Sequence, residues 1–197
     1  MPEITWTDEF FPILLRPRFI PYDVKSVLDV GCGRGLLGAL LRIYRDPEYI
    51  AGIDSHKPYL DFVKKMGTYN EILELDLGGR RLPFTDKRFD LVVCLEVIEH
   101  LRKEQGLHLI DELQRVGKRV ILSTPGIFYE QKTYDGNPHQ HHLSYYSVDE
   151  LETRGFDVYG VGNLLVFGKP IKYISVALGK LTYLFPKLSD DILALKE

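Results

Sequence analysis

The sequence predicts an α/β fold in which a mainly parallel sheet is joined by crossover helices. Three observations carry that prediction. Apolar runs of strand length alternate along the chain with stretches of helical periodicity. One of these runs, residues 89–95, holds Leu91-Val92-Val93-Cys94-Leu95 without interruption, as a strand covered on both faces requires. The glycines Gly31, Gly33 and Gly35 stand between a short strand and a helix, where the backbone has to turn tightly.

The elements follow in order. Residues 8–15 have the pattern of an N-terminal helix. Val27-Leu28-Asp29-Val30 is the first strand, and Leu36, Leu37, Leu40, Leu41 and Ile43 recur behind it at helical spacing. Residues 49–53 give a second strand ending at Asp54. Pro58 then opens a helix running to Met66, since proline is accepted in a first turn. Residues 71–75 form a third strand ending at Asp76, and residues 89–95 a fourth. Residues 107–116 are helical, and Arg119-Val120-Ile121-Leu122-Ser123 is a fifth strand stopped by Pro125-Gly126. Ser147 offers an N-cap to a helix that Gly155 ends. Residues 156–161 and 192–195 are the last two strands, and they are able to pair antiparallel.

A chain of 197 residues suffices for one domain with a full core. Residues 1–197 are therefore read as a single domain, with the N-terminal helix and a lid-like C-terminal segment near residues 162–188. The net charge of −3 excludes a general attraction to nucleic acid or anionic membrane. Glu3, Asp8 and Glu9 occupy the region where a secretory signal carries positive and then apolar residues. The most apolar stretch, residues 164–188, is interrupted by Lys169, Lys172, Lys180 and Lys187, so it lacks the roughly 20 uncharged residues of a spanning helix. A cytoplasmic location is expected, with adsorption of this stretch to a membrane surface as the lesser expectation. Cys32 and Cys94 are expected to be reduced, packed thiols.

The glycine loop narrows the ligand. A dinucleotide loop reads G-x-G-x-x-G, its third glycine packing helix against strand. Here that position is Leu36, and the glycine falls one residue earlier, at Gly35. Asp29, two residues before Gly31, suits a ligand with a cationic amino end better than a pyrophosphate. No Gly-Lys-Ser/Thr follows, which excludes a P-loop. Asp54, at the end of the next strand, can accept both hydroxyls of a ribose.

These motifs together resemble the class I S-adenosylmethionine-dependent methyltransferases. Val27 to Gly35 resembles their first motif, Gly52-Ile53-Asp54 their acidic second-strand end, and Asp76-Leu77 the position beside the adenine. Residues 89–101, ending Glu96-Val97-Ile98-Glu99-His100-Leu101, resemble the fourth strand and its turn, and Ser123-Thr124-Pro125-Gly126 the end of the fifth. The resemblance implies a Rossmann-like, doubly wound sheet of seven strands in the order 3-2-1-4-5-7-6, with strand 7 antiparallel. It implies S-adenosylmethionine as cofactor. Asp29 would orient the methionine amino group, directly or through water. Gly31, Cys32, Gly33 and Gly35 would lie against the methionyl part. Asp54 and Ser55 would hold the ribose, Asp76 and Leu77 would face the adenine, and Cys94, Leu95 and Glu96 would line the methyl end.

Glu96, Glu99 and His100 fall at i, i+3 and i+4, on one face if the turn is helical. Downstream lies Asn137-Pro138-His139-Gln140-His141-His142, on a loop able to close over the same cleft. Over this short span the chain resembles metal-dependent RNA 3′-terminal 2′-O-methyltransferases, which implies Glu96, Glu99, His100 and His142 as an alternative metal set. The same residues also suit a metal-free enzyme acting on a small molecule, with substrate-facing acids and a solvated histidine loop. That is the leading expectation, because the chain has no strong basic run for a phosphate backbone. A cofactor-binding protein without turnover is a further alternative.

Methyl transfer from a sulfonium is an in-line displacement, so positioning and exclusion of water dominate. A base is needed only where the acceptor loses a proton. His100 is the first candidate, with His139, His141 and His142 as alternatives. Acceptor specificity is expected from residues outside the sheet motifs. Phe10, Phe11, Tyr129, Tyr134, Tyr145, Tyr146, Tyr173, Tyr183 and Phe185 are able either to wall an apolar pocket or to pack a lid.

Overall fold

The computed structural model describes residues 13–133, 136–166, 169–171 and 181–197. Its strands are β1 (Ser26–Val30), β2 (Tyr49–Asp54), β3 (Glu71–Glu74), β4 (Phe89–Leu95), β5 (Gly117–Pro125), β6 (Asp157–Val166), β7 (Lys169–Ile171) and β8 (Ser189–Lys196). The helices between them are α1 (Leu36–Tyr44), α2 (Lys57–Met66), α3 (Lys103–Val116) and α4 (Val148–Thr153). One sheet contains all eight strands in the order β3-β2-β1-β4-β5-β8-β6-β7. The first five run parallel, and β8 enters antiparallel between β5 and β6. This is the expected seven-stranded order, with β8 as the antiparallel seventh strand. The short β7 adds a hairpin partner on the outer edge of β6.

The apolar runs alternate between two cores. Leu28, Val30, Val92, Cys94, Val120, Leu122, Ile192 and Ala194 face one side of the sheet, with Leu109, Ile110 and Leu113 of α3 and Leu151 of α4. Val27, Leu91, Val93, Ile121, Leu193 and Leu195 face the other, with Leu37 and Leu41 of α1, Leu60 and Val63 of α2, and Leu14, Phe19 and Ile20. Successive strand residues point to opposite faces, so a strand with helices on both sides has to be apolar throughout. Each such large side chain, fully buried, contributes about 1.5–3 kcal/mol of transfer free energy.

Local signals fix several ends. Ser147 accepts the Glu150 N–H at 3.2 Å while the Glu150 carboxylate accepts the Ser147 N–H at 3.0 Å, a reciprocal cap that starts α4. Gly155, in the left-handed conformation, follows its end. The apolar stripe assigned to α1 is narrower than expected: Leu37 and Leu41 are buried, whereas Leu36 and Ile43 face solvent. Of the expected N-terminal helix, residues 13 and 14 are helical and residues 8–12 lie outside the described residues. Within the expected lid-like span, residues 162–166 continue β6, while residues 172–180 lie outside the described residues.

Two features of this topology place a site. The strand order reverses between β1 and β4, which opens a crevice at their carboxyl ends. The antiparallel β8 brings its first residues to that same end, with Asp191 opposite Pro125 at the end of β5.

Candidate functional site

The glycine loop fills the crevice beside β1. Gly31, Gly33 and Gly35 have φ of +76°, +51° and +80°, the left-handed region that side chains resist. The Gly31 and Cys32 N–H groups donate to the Ile53 carbonyl at 2.8 and 2.9 Å, tying the loop to the end of β2. A Cβ on Gly31 would stand 2.3 Å from Cγ2 of Val97, so the turn after β4 closes directly over the loop. Asp54 accepts the Gly33 N–H on Oδ2 and the His56 N–H on Oδ1, both at 2.8 Å. Each carboxylate oxygen has a second lone pair, so acceptor capacity is left over for ligand hydroxyls. Ser55, next in the chain, is half-buried.

Asp29 lies buried beneath the loop, and Tyr69 donates to its Oδ2 at 2.6 Å. Burial pushes the Asp29 carboxyl up to about 7, Tyr69 pulls it down and the nearby Asp54 raises it further. Tyr69 is a residue the sequence motifs did not reveal. Its only signal is an aromatic ring just ahead of a strand, and that is ordinary.

The strand ends on either side are mixed in character. Asp76 is exposed and turns back to accept the Gly78 N–H at 2.9 Å, while Leu77 is buried. At the end of β4, the Cys94 side chain is wholly buried in the core, so only its backbone can face a ligand, while Leu95 is partly exposed. Cys32 and Cys94 are both free, buried thiols. Glu96 is one of three non-glycine residues at positive φ among the described residues, at +52°. The Ser123 hydroxyl donates to Glu96 Oε1 at 2.6 Å and receives the Glu96 N–H at 3.1 Å.

Beyond Glu96, three residues of the alternative metal set, Glu99, His100 and His142, come together, and Glu96 is not among them. Residues Ile98–His100 form a 3-10 turn, and the Leu143 and Ser144 N–H groups donate to the Glu99 carbonyl, fastening the histidine loop over the turn. Glu99, His100 and His142 each offer a ligand atom, and these atoms lie within 4.8 Å of one another. Glu99 is 2% exposed; its Oε2 accepts from Thr124 at 3.1 Å and its Oε1 has no partner. His100 Nδ1 meets the His141 carbonyl at 3.1 Å, and His142 Nδ1 meets the Tyr129 carbonyl at 3.0 Å. A carbonyl only accepts, so both imidazoles carry their proton on Nδ1 and keep a lone pair on Nε2. His100 Nε2 is 3.9 Å from Glu99 Oε1. The cluster leaves out His139, on the short turn Pro138–Gln140, and His141, whose Nε2 meets the Thr133 hydroxyl.

Electrostatics set this cluster apart. Burial, aided by Asp191, pushes Glu99 up to about 8, and burial with the charge of Glu99 raises Glu96 well above its ordinary range. Burial and the charges of Glu96 and Asp190 hold Asp191 at about 9. Burial lowers His100 to about 4 and also lowers His142. The imidazoles are therefore neutral near pH 7, and the crowded Glu96, Glu99 and Asp191 favour their protonated forms there. Burial disfavours the imidazolium form of His100, so the group is a weaker base than its unperturbed value suggests. Asp191 escaped the sequence reading because only the antiparallel return of β8 brings it here.

The aromatic residues divide. Tyr129 stacks edge-on with His142 and so borders the cluster, while Tyr145 donates to the Gly126 carbonyl after β5. Tyr146 is wholly buried and packs the core, Tyr183 stacks on Tyr159, and Phe185 is exposed. Phe10, Phe11, Tyr134 and Tyr173 lie outside the described residues. No helix among the described residues is long and apolar enough to cross a membrane.

Comparisons with known proteins bear on this arrangement. Residues 28–120 match the methyltransferase-domain family, a span running from β1 through the start of β5. The chain is 30% identical over 114 residues to the bifunctional methionine biosynthesis protein MetXA/MetW of Rhodopirellula baltica, covering 54% of this chain and 18% of that protein. It is 28% identical over 170 residues to the ubiquinone biosynthesis O-methyltransferase of Glaesserella parasuis, covering 68% of this chain and 70% of that one. The chain spans less than half the length of several curated relatives it matches. Among solved structures, a SAM dependent methyltransferase from Archaeoglobus fulgidus has the same fold, with a TM-score of 0.63 at 19% identity, covering 93% of this chain and 90% of that one.

Proposed function

We propose that the chain is a class I S-adenosylmethionine-dependent methyltransferase that transfers the methyl group to an oxygen of a small-molecule acceptor, a reading supported by the match of residues 28–120 to a methyltransferase domain. The observation that carries the reading is the pairing, at one end of the sheet, of a glycine cradle flanked by Asp29 and Asp54 with the Glu96–Glu99–His100 turn. The first half fits the methyl donor. Its loop has no Cβ at three positions, one buried acid suits an ammonium, and one strand-end acid suits ribose hydroxyls. Asp29 would meet the methionyl ammonium, with Gly31, Cys32, Gly33 and Gly35 along the methionyl chain. Asp54 and Ser55 would take the ribose, Asp76 and Leu77 the adenine, and Leu95, Glu96 and the Cys94 backbone the methyl end. The second half fits an acceptor hydroxyl, and the Glaesserella relative that shares most of its length with this chain is named an O-methyltransferase.

S-Adenosylmethionine supplies an activated methyl group, so this chain's task is to hold the acceptor oxygen in line and keep water out. The hydroxyl proton needs an acceptor. Glu99 is buried at this turn with Oε1 3.9 Å from His100 Nε2, and in its ionised form, which its pKa of about 8 makes available on the alkaline side of neutrality, it would receive that proton. Calorimetry with S-adenosylhomocysteine tests the donor site, and labelled S-adenosylmethionine with a panel of phenols and catechols tests the acceptor. Absence of binding would overturn the donor reading. Transfer only to amine or thiol acceptors would overturn the oxygen assignment.

A second reading is favoured by one specific observation, the convergence of Glu99, His100 and His142. The residues fit a divalent cation: the carboxylate oxygen lacks a partner, and backbone carbonyls fix both imidazole tautomers with Nε2 free. A cation held there would polarise an acceptor hydroxyl, in a small molecule or at an RNA 3′ end. Labelled transfer to a short RNA, compared with the phenol panel, separates these two acceptors.

A further inference from the structure

Tyr69 lies between α2 and β3, outside every motif of the donor site, yet its hydroxyl enters that site. Its ring occupies space that glycines leave open. A Cβ on Gly38 would stand 2.4 Å from the ring, one on Gly52 2.9 Å, and one on Gly35 3.3 Å. The hydroxyl accepts the Gly38 N–H at 3.1 Å and donates to Asp29 Oδ2 at 2.6 Å. Gly38 belongs to the first turn of α1, where N–H groups have no partner within the helix, and the N-cap Gly35 has no side chain to supply one. Receiving that N–H on its lone pair leaves the Tyr69 hydroxyl free to aim its proton at Asp29.

We infer that Tyr69 is a positioning residue for the methyl donor, holding Asp29 as an oriented carboxylate toward the donor's ammonium group. The inference rests on the reading that Asp29 meets that ammonium. The titratable groups around Asp29 are Tyr69 from the segment after α2, Cys32 from the loop and Asp54 from β2, with Cys94 of β4 on the opposite face of the sheet. The thiols are neutral, because burial and the acids raise both, and Asp54 disfavours charge on Asp29. Burial disfavours it more, so Tyr69 is the neighbour that supports the carboxylate form.

The test uses Tyr69→Phe, which keeps the ring among its glycines and removes the hydroxyl. The probes are S-adenosylhomocysteine, which carries the ammonium, and 5′-methylthioadenosine, which does not. Tyr69→Phe should weaken S-adenosylhomocysteine about tenfold at pH 7, the size of one hydrogen bond to a charged group. The rise of its affinity with pH, as Asp29 ionises, should move to higher pH. Methylthioadenosine should bind both proteins alike and without that rise. In an Asp29→Asn background, the further change to Phe should leave S-adenosylhomocysteine affinity unaltered. Equal weakening of both probes, or an unmoved pH profile, would assign Tyr69 to packing alone and overturn the inference. A wild-type protein that binds neither probe would instead remove the donor site itself.

Discussion

The two halves of the crevice are built on opposite terms. Under the glycine loop, Asp54 accepts two backbone N–H groups and Asp29 a tyrosine hydroxyl, so the acids have partners before any ligand arrives. At the ends of β4, β5 and β8, Glu96, Glu99 and Asp191 crowd together with raised pKa values, and Glu99 Oε1 has no partner. Preorganised donors and acceptors suit a ligand of fixed shape, whereas uncompensated buried acids mark a place that a proton or a cation has to complete. The proposed donor half is partnered in advance, and the proposed acceptor half is a group of crowded acids that hold their protons past neutrality.

The sharpest way to break the contrast is to spoil the donor half. Gly31→Ala puts a Cβ 2.3 Å from Val97 Cγ2 at a φ of +76°. S-Adenosylhomocysteine affinity is expected to fall about 100-fold, near 2.7 kcal/mol, in calorimetry. Trimming Val97 to Ala in the same chain removes the clash but not the strained φ. Partial recovery is expected, and full recovery would show that the conformation of the loop is immaterial.

The acceptor half should respond to cations where the donor half does not. Zn²⁺ or Mn²⁺ at about 100 times its dissociation constant should stabilise the protein by about 2.7 kcal/mol, read as a higher Tm. His142→Ala should abolish the shift. An unchanged Tm in the wild type would end the cation reading.

A smaller effect follows from pH. The unfolded chain releases the Asp29, Glu99 and Asp191 protons near pH 4, but the folded protein holds them until about 7, 8 and 9. Raised folded pKa values give stability that is complete below pH 4 and lost as pH climbs through those values. His100 and His142 act in the opposite direction, but only below about pH 6.5, where the unfolded imidazole titrates. The urea midpoint of the ligand-free protein should therefore fall between pH 7 and 9, by roughly 1 kcal/mol per pH unit for each proton lost. Glu99→Gln should flatten that slope, and a midpoint that rises over the window would contradict the acid cluster. The smallest expected effect lies far from both halves: Ile43→Lys, at a solvent-facing position of α1, should change stability by no more than about 0.5 kcal/mol.

Legibility in the sequence divides along the same line. The donor half is written in consecutive residues, because a strand, its glycine turn and the next strand's last acid are local features. The order of the strands came from the family those motifs resemble. The Glu99–His100 turn was also local, and its convergence with His142 could be anticipated. Partners from distant segments could not be. Asp191 reaches Glu96 only because β8 runs backward, and Tyr69 reaches Asp29 only because Gly38 and Gly52 leave space. The exposure of Leu36 and Ile43 was hidden for another reason: periodicity reports a stripe but not its width.

Glu96 carries a consequence for anyone engineering this protein. A left-handed φ at a non-glycine residue costs on the order of 1–2 kcal/mol, and Glu96 adds a half-buried carboxyl crowded by Glu99 to that burden. Glu96→Gly would relieve both at once. A screen that selects for heat resistance or expression alone would be drawn to that change, and would return a sturdier protein that has lost the acid proposed for its methyl end.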